Sequence, residues 1–171
     1  MAIYFMDTSA VVKRFHNEIG SSWVRNIFAA SVSDEDGASE IIHASALTLV
    51  EVPAAFAILE RTHEITTALR DELFQAFITS RQAELEIVPI TNAILLDAAA
   101  LTQKHPLKAY DAVQLASALD LQNALREFEV PLVFVTSAKQ LGQAAQTEGL
   151  LVENPLWHPD TLPPTQETPS A

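Results

Sequence analysis

The fold is decided by the opening stretch AIYFMDTS, residues 2–9, in which a short apolar run stops at a carboxylate and two hydroxyls. The run from Ile3 to Met6 predicts a buried strand, and the helical pattern over residues 9–15 predicts that a helix follows it. Asp7 therefore lies at the carboxyl end of the first strand. Because ligands bind at that end of the strands in parallel α/β sheets, chemistry is expected there.

The rest of the chain repeats this alternation of short apolar runs and longer helical ones. Further strands are predicted at residues 41–46, 85–90, 132–135 and 150–152, and helices at residues 21–33, 47–60, 64–83, 91–104, 107–128 and 138–148. An acidic surface loop is predicted between them at residues 33–39. Short, continuously apolar strands separated by helices are typical of a parallel sheet covered on both faces, so the predicted class is α/β.

Composition predicts one globular domain without a membrane segment. The 171 residues are 49% hydrophobic and 19% charged, which argues against disorder. We expect the domain to cover residues 1–153 and a tail to cover residues 154–171, where five of the nine prolines lie. The absence of cysteine suits a reducing cytoplasm. No signal peptide is predicted, because no basic segment precedes Asp7, and the apolar stretch 46–59 is too short to span a bilayer.

The charge balance is acidic, with 22 acidic against 10 basic residues and a net charge of -12. Proteins that bind nucleic acid tightly and non-specifically usually show a basic surface, so this balance argues against that class. It does not exclude a nuclease in which a bound metal ion supplies the local positive charge.

Three carboxylates stand alone in apolar, uncharged stretches. Asp7 ends the first strand, Glu51 is the only charge in residues 46–59, and Asp111 is the only charge in residues 109–119. Two carboxylates ~4 Å apart repel by roughly 4 kcal/mol at an effective dielectric constant near 20, which should raise their pKa values. A divalent cation such as Mg²⁺ or Mn²⁺, which takes oxygen ligands, would relieve that repulsion.

Each carboxylate also has an ordinary structural interpretation. Asp7 precedes Thr-Ser and could cap the first helix. Glu51 stands three residues after Thr48, the spacing of a capping box. Asp111 stands three residues after Lys108, the spacing of a surface ion pair on a helix.

At these positions the sequence resembles the PIN domain family, and most closely the VapC-type toxins of bacterial toxin–antitoxin systems. The resemblance runs in order over about residues 1–155 and rests on YFMDTSAVVK (4–13), LTLVEV (47–52), HPLKAYDAVQLA (105–116), FVTS (134–137) and EGL (148–150). Residues 105–116 give the most specific match.

The resemblance implies a three-layer α/β/α sandwich around a mostly parallel sheet of about five strands. It also implies an Mg²⁺- or Mn²⁺-dependent endoribonuclease that acts on RNA, is inhibited by a cognate antitoxin and often forms homodimers. Carried over by position, Asp7, Glu51 and Asp111 would be the catalytic, metal-binding carboxylates. Ser9, or alternatively Thr8, would orient Asp7 or hold metal-bound water.

The sequence departs from the family pattern at Ala138, where a fourth acid commonly follows the Thr-Ser of the fourth strand. A second metal ion would be held less well without that acid. Thr136 and Ser137 could offer hydroxyls instead, although Ser137 to Gln140 also fits a capping box, which is the favoured interpretation. Pro53 removes a helical amide close to Glu51 and could delay or bend that helix.

Three functional hypotheses follow. The leading one is a metal-dependent endoribonuclease that acts as the toxin of a toxin–antitoxin pair. The second is a non-catalytic PIN-fold protein that binds a partner or RNA without cleavage, which Ala138 and the acidic charge favour. The third is a metal-dependent hydrolase of small phosphoesters, which would show no preference for RNA.

Overall fold

The structure is a computed structural model that describes residues 2–31 and 40–159. Its strands are β1 (Ala2–Met6), β2 (Glu40–Ser45), β3 (Glu86–Val88), β4 (Leu132–Val135) and β5 (Leu151–Glu153). Its helices are α1 (Thr8–Phe15), α2 (Ser21–Ser31), α3 (Thr48–Arg61), α4 (Thr67–Glu84), α5 (Asn92–Lys104), α6 (Ala109–Leu125) and α7 (Lys139–Thr147). Single 3-10 turns follow α6 and β5, at Arg126–Phe128 and Pro155–Trp157.

The five strands form one parallel sheet in the order β3-β2-β1-β4-β5. The chain builds outward from β1 to β2 and β3 on one side, then returns to add β4 and β5 on the other. The strand order therefore reverses between β1 and β4, and ligands bind beyond the carboxyl ends of the strands at such a point. The amide of Asp7 donates to the carbonyl of Val135 at 3.1 Å, which joins the two strand ends there.

Two apolar cores, one on each face of the sheet, make the fold a three-layer α/β/α sandwich. Phe5 and Phe134 point to the face covered by α5, α6 and α7, where their rings stack 5.7 Å apart. Met6 points to the opposite face, where Phe56 of α3 and Phe77 of α4 are fully buried beside α1 and α2. The α/β class and the layered architecture predicted from the sequence are confirmed.

The predicted helices and strands are present, and their bounds differ where local chemistry stops an element. The predicted strand 85–90 is limited to Glu86–Val88. The helix predicted from residue 64 begins at Thr67, because the Thr66 side chain accepts from the amide of Leu69 at 3.2 Å and caps it. Pro53 does not delay its helix, which begins at Thr48. The acidic loop predicted at residues 33–39 lies outside the described residues.

The first residues after β5 pack against the body of the protein. Pro155 is buried against Gly20, where an added Cβ would meet the Pro155 carbonyl oxygen at 2.2 Å and where φ is +84°. The ring of His158 stacks on that of Trp23 with centroids 4.3 Å apart. Residues 160–171 of the predicted tail lie outside the described part of the chain. Within that part, no helix combines the length and apolarity needed to cross a bilayer.

Candidate active site

Asp7 is buried between β1 and α1, with 4% of its surface exposed. Its Oδ1 accepts from the Ser9 hydroxyl at 2.7 Å and from the amide of Ala10 at 3.0 Å, while its Oδ2 accepts from the Thr136 hydroxyl at 2.8 Å. Asp7 therefore does cap α1, as one interpretation of the sequence held. It also lines the pocket described below, so the structural and the functional interpretations of Asp7 are compatible.

Glu51 lies in the first turn of α3, but it is not part of a capping box. The residue at the N-cap is Leu47, and its side chain makes no capping bond. Instead, Glu51 Oε2 accepts from the Thr8 hydroxyl at 2.6 Å and from Gln114 Nε2 at 2.8 Å. The local sequence pattern was misleading because partners from α1 and α6 determine where the Glu51 carboxylate lies.

Gln114 of α6 connects the separate parts of this site. Its Nε2 lies 3.1 Å from the hydroxyl oxygens of both Thr8 and Thr48, in addition to its contact with Glu51. Because a carboxylate can only accept hydrogen bonds, the amide nitrogen must be the atom that faces Glu51. This orientation leaves Gln114 Oε1 buried and without a hydrogen-bond partner among the described residues.

Asp111 stands in the first turn of α6 and is partly buried. The surface ion pair with Lys108 that its spacing permitted is absent: among the described residues, no ion pair within 4.0 Å joins the two side chains. Lys108 still lowers the pKa of Asp111, although burial and the charge of Glu51 raise it more.

One pocket of about 410 Å³ brings the three predicted carboxylates together at the reversal in strand order. The residues that line it include Asp7, Thr8, Ser9, Lys13, Glu18, Glu51, Asp111, Gln114, Ser137 and Ala138. Thr136 does not line the pocket and reaches it only through its hydrogen bond to Asp7. The structure thus collects the predicted side chains from β1–α1, α3, α6 and the segment after β4.

Electrostatics in the pocket follow from burial and from the proximity of like charges. Burial raises the pKa of Asp7 from 3.8 to about 6, against the lowering effect of its three hydrogen bonds, and the charge of Asp111 adds to the rise. Burial also raises the pKa of Asp111, and Glu51 adds to that rise. Loss of solvation therefore outweighs local hydrogen bonding, and a bound cation would offset that cost.

The capping box favoured for Ser137 to Gln140 is wrong. Ala138 stands at the N-cap of α7, and no side chain caps the helix. The hydroxyl of Thr136 accepts from the amide of Ala138 at 3.0 Å, and the amide of Ser137 donates to the Ser9 hydroxyl at 2.8 Å. The Ser137 hydroxyl is left buried without a hydrogen-bond partner among the described residues.

The donor atoms of the pocket fit a hard divalent cation. Carboxylates line the pocket, and two other lining residues each carry a buried oxygen without a hydrogen-bond partner among the described residues, Gln114 Oε1 and Ser137 Oγ. Residues 2–31 and 40–159 nevertheless contain no group of three or more His, Cys, Asp or Glu side chains that could hold a metal ion together. One or two carboxylates plus water would have to suffice, and Mg²⁺ is commonly bound in that way.

Sequence reasoning missed two contributors to the pocket. Gln114 makes hydrogen bonds to partners 63, 66 and 106 residues away in the chain, which no local pattern reveals. Lys13 is 2% exposed and lines the pocket, whereas the sequence places it next to Arg14 in an ordinary basic pair. A detectable signal for Lys13 was its position on the apolar face of a helix that begins at a site carboxylate.

Comparison with solved structures supports the fold. The chain is similar to a chain of VapBC2 from Rickettsia felis bound to a DNA fragment from its promoter, with 14% identity and a TM-score of 0.59 over 89% of this chain and 98% of the other. It is also similar to PAE2754 from Pyrobaculum aerophilum, with 16% identity and a TM-score of 0.58 over 88% and 83%. For VapC20 from Mycobacterium tuberculosis, a toxin that cleaves the sarcin–ricin loop, the identity is 14% and the TM-score 0.54 over 86% and 96%.

Sequence comparison gives the family directly. No curated protein matched the chain. The family model of the PIN domain, however, matches residues 4–125, which are more than half of the 171 residues and include Asp7, Glu51 and Asp111. The chain therefore belongs to the PIN domain family.

Proposed function

We propose that this protein is a divalent-metal-dependent endoribonuclease that hydrolyses RNA phosphodiester bonds, and that it is the toxin of a toxin–antitoxin pair in the cytoplasm. The observation that carries the proposal is the pocket at the reversal in strand order, where burial and the charges of neighbouring carboxylates raise the pKa values of Asp7 and Asp111. Family membership and the fold shared with VapC20, which is described as an RNA-cleaving toxin, support it.

The cation would be held by carboxylates drawn from Asp7, Glu51 and Asp111, with water completing its shell. When bound, it would supply Lewis acidity toward the phosphodiester and lower the pKa of water. Ser9 and Thr136 hold the two oxygens of Asp7, and Gln114 and Thr8 hold Glu51, so both carboxylates are oriented before a ligand arrives. Preorganised charges of this kind act without reorganisation during the reaction.

Asp111 is suited to move a proton. It is partly buried, and burial together with the charge of Glu51 raises its pKa above that of an ordinary aspartate. Because its carboxylate also lines the pocket, Asp111 could accept a proton from an attacking water there.

The proposed antitoxin would dock on the apolar surface of α3 and α4, close to the pocket. Large apolar side chains are exposed on these helices: Val50, Ile58, Leu69, Phe74 and Ile78. Ile58 also lines the pocket, so a protein seated there would block its mouth.

We further propose that the protein forms the homodimer that the family resemblance implies. We also propose that residues 1–153 form the nuclease domain and residues 154–171 a tail.

A second function, RNA or partner binding without cleavage, is favoured by two observations. No group of three metal-binding side chains forms among the described residues, and Ala138 lines the pocket where a fourth acid would stand. This candidate predicts weak divalent binding and no strand scission.

The deciding experiment is cleavage of mixed-sequence and structured RNAs by the purified protein, with Mg²⁺ or Mn²⁺ and with a chelator. We expect metal-dependent cleavage that Asp111→Asn abolishes. Asp97→Asn is the matched control, because Asp97 is exposed on α5 outside the pocket, and it should cleave like the wild type. Intact RNA in every metal condition would favour the non-catalytic candidate. Equal turnover of a small generic phosphodiester would favour the small-phosphoester hydrolase.

A further inference from the structure

A buried lysine lines the acidic pocket and is covered by a carboxylate that faces solvent. The Nζ atom of Lys13 lies 2.7 Å from Glu18 Oε2, and the exposed fractions of the two side chains are 2% and 43%. Among the described residues that line the pocket, Lys13 alone is basic, whereas four are acidic: Asp7, Glu18, Glu51 and Asp111.

The local backbone places both members of this ion pair on the lining of the pocket. Ser9, Val12 and Lys13 stand at the i, i+3 and i+4 spacing of one helix face, and all three line the cavity. Glu18 lies in the connection to α2, where its amide donates to the Ser21 hydroxyl at 2.9 Å, and that hydroxyl donates to the carbonyl of His16 at 3.0 Å. These bonds fix the backbone of the connection and leave the Glu18 carboxylate at the surface.

Stability alone gives no reason for a lysine at this position. Burying an ammonium group is costly, and replacing a buried ion pair by apolar side chains of similar size is often neutral or stabilising. An ammonium group also has three donors, and the hydrogen bond to Glu18 uses one of them. Lys13 is thus a buried cation in a pocket of carboxylates, and its ammonium group makes a single hydrogen bond among the described residues.

The charge of the pocket indicates what Lys13 would bind. A phosphodiester carries a negative charge and must enter a cavity lined by four carboxylates, of which a single divalent cation would neutralise only part. We propose that Lys13 binds a phosphate of the RNA substrate, and that Glu18 is the resident anion which this phosphate displaces. The inference rests on the proposed function and adds a positioning residue and its counter-anion to that site.

Displacement of the Glu18 carboxylate by a phosphate is physically reasonable, because the ammonium group of Lys13 then has an anion beside it both before and after RNA binds. In the free protein the Glu18 carboxylate compensates the ammonium group, and in the complex a phosphate oxygen would take its place. Glu18 is half exposed, so its carboxylate can turn into water at little cost in solvation.

The test compares the two partners of the pair. Binding of a short single-stranded RNA is measured with Ca²⁺ present and over a range of salt concentrations, and RNA integrity is checked on a gel. We expect Lys13→Met to weaken binding about tenfold and to reduce the salt slope by about one phosphate contact. Glu18→Gln should instead strengthen binding about threefold, because it removes a charge that repels phosphate.

Opposite signs are what a purely structural ion pair cannot produce, since either substitution would break it in the same way. Lys104→Met is the matched control: the Lys104–Glu148 pair has the same N–O distance of 2.7 Å but lies outside the pocket, so RNA affinity should not change. Thermal unfolding of each variant checks that Lys13→Met is folded.

The outcomes separate this inference from the proposed function. If the wild type cleaves RNA, but Lys13→Met and Glu18→Gln change affinity in the same direction or not at all, the phosphate contact is overturned and the nuclease stands. If the wild type neither binds nor cleaves RNA, both are overturned.

Discussion

The pKa values of carboxylates shift in opposite directions at two places in this protein, the pocket and the contact of Glu148 with Lys104 and His105. In the pocket, burial and the charges of neighbouring carboxylates raise the pKa values of Asp7 and Asp111. At the far ends of α5 and α7, Glu148 Oε1 meets Lys104 at 2.7 Å and His105 at 2.5 Å, and its pKa falls. The protein thus pairs Glu148 with cations where the contact joins two helices, whereas among the described residues neither Asp7 nor Asp111 forms an ion pair within 4.0 Å. That difference supports the proposal that an external cation binds in the pocket.

The largest effect should come from Asp7→Asn in the metal-free protein. The pKa of Asp7 is about 6 when folded and 3.8 when unfolded, so the folded state binds more protons between these values, and the free energy of unfolding falls as pH rises through them. Removing the charge should therefore stabilise the protein at neutral pH, by on the order of 3 kcal/mol. The gain should vanish near pH 4.

Urea unfolding of both proteins across that pH range measures the effect. The asparagine retains a side-chain oxygen that can cap α1, so a lost cap should not mask the result. A variant that is less stable than the wild type at neutral pH would mean that the three hydrogen bonds of Asp7 outweigh its burial.

The next largest effect concerns Gln114, which links α6 to α1 and α3. Gln114→Met keeps the volume but removes the bond to Glu51, so we expect about tenfold slower metal-dependent cleavage and a loss of about 1 kcal/mol in unfolding free energy. Steady-state cleavage and urea unfolding measure the two effects. Unchanged cleavage despite the lost stability would show that Gln114 supports the fold but not the chemistry.

A smaller, favourable effect is expected from Ala138→Asp, which adds a carboxylate at the pocket. If this acid reaches the cation, Mg²⁺ affinity should rise about threefold to tenfold in calorimetric titration. Ala138 also stands at the N-cap of α7, where aspartate is a favoured residue. Higher stability without tighter Mg²⁺ binding would mean that the new carboxylate caps the helix instead.

The smallest effect is expected on the other side of the comparison, at Glu148→Gln. Because the pKa of Glu148 is lowered in the folded state, its contribution to stability is present above its unfolded pKa and is lost as pH falls through the folded value. Its partner Lys104 is 61% exposed, so solvent screens the ion pair, and we expect a loss of only about 0.5 kcal/mol at neutral pH. RNA cleavage should stay at the wild-type rate, because Glu148 does not line the pocket. A strong decrease would show that Glu148 also supports catalysis.

The sequence was sufficient for the fold because its strands are short apolar runs with clear breaks, as at Asp7 and at Gly149. It was also sufficient to choose three of the four carboxylates that line the pocket, since each of the three interrupts an apolar stretch, whereas Glu18 does not stand out in this way. Both capping boxes failed for a shared reason. Glu51 and Ser137 fit local patterns, but partners distant in the chain, Thr8 and Ser9 among them, determine their positions.

Calorimetric titration of Mg²⁺ and Mn²⁺ is the decisive measurement of whether the pocket carboxylates bind a divalent cation. We expect the wild type to bind a cation and the affinity to fall below pH 6, where Asp7 gains a proton. Asp7→Asn and Asp111→Asn should each abolish binding. Glu148→Gln should bind like the wild type. Wild-type binding that survives both pocket substitutions, or no binding at neutral pH even with RNA present, would show that these carboxylates do not form a cation site.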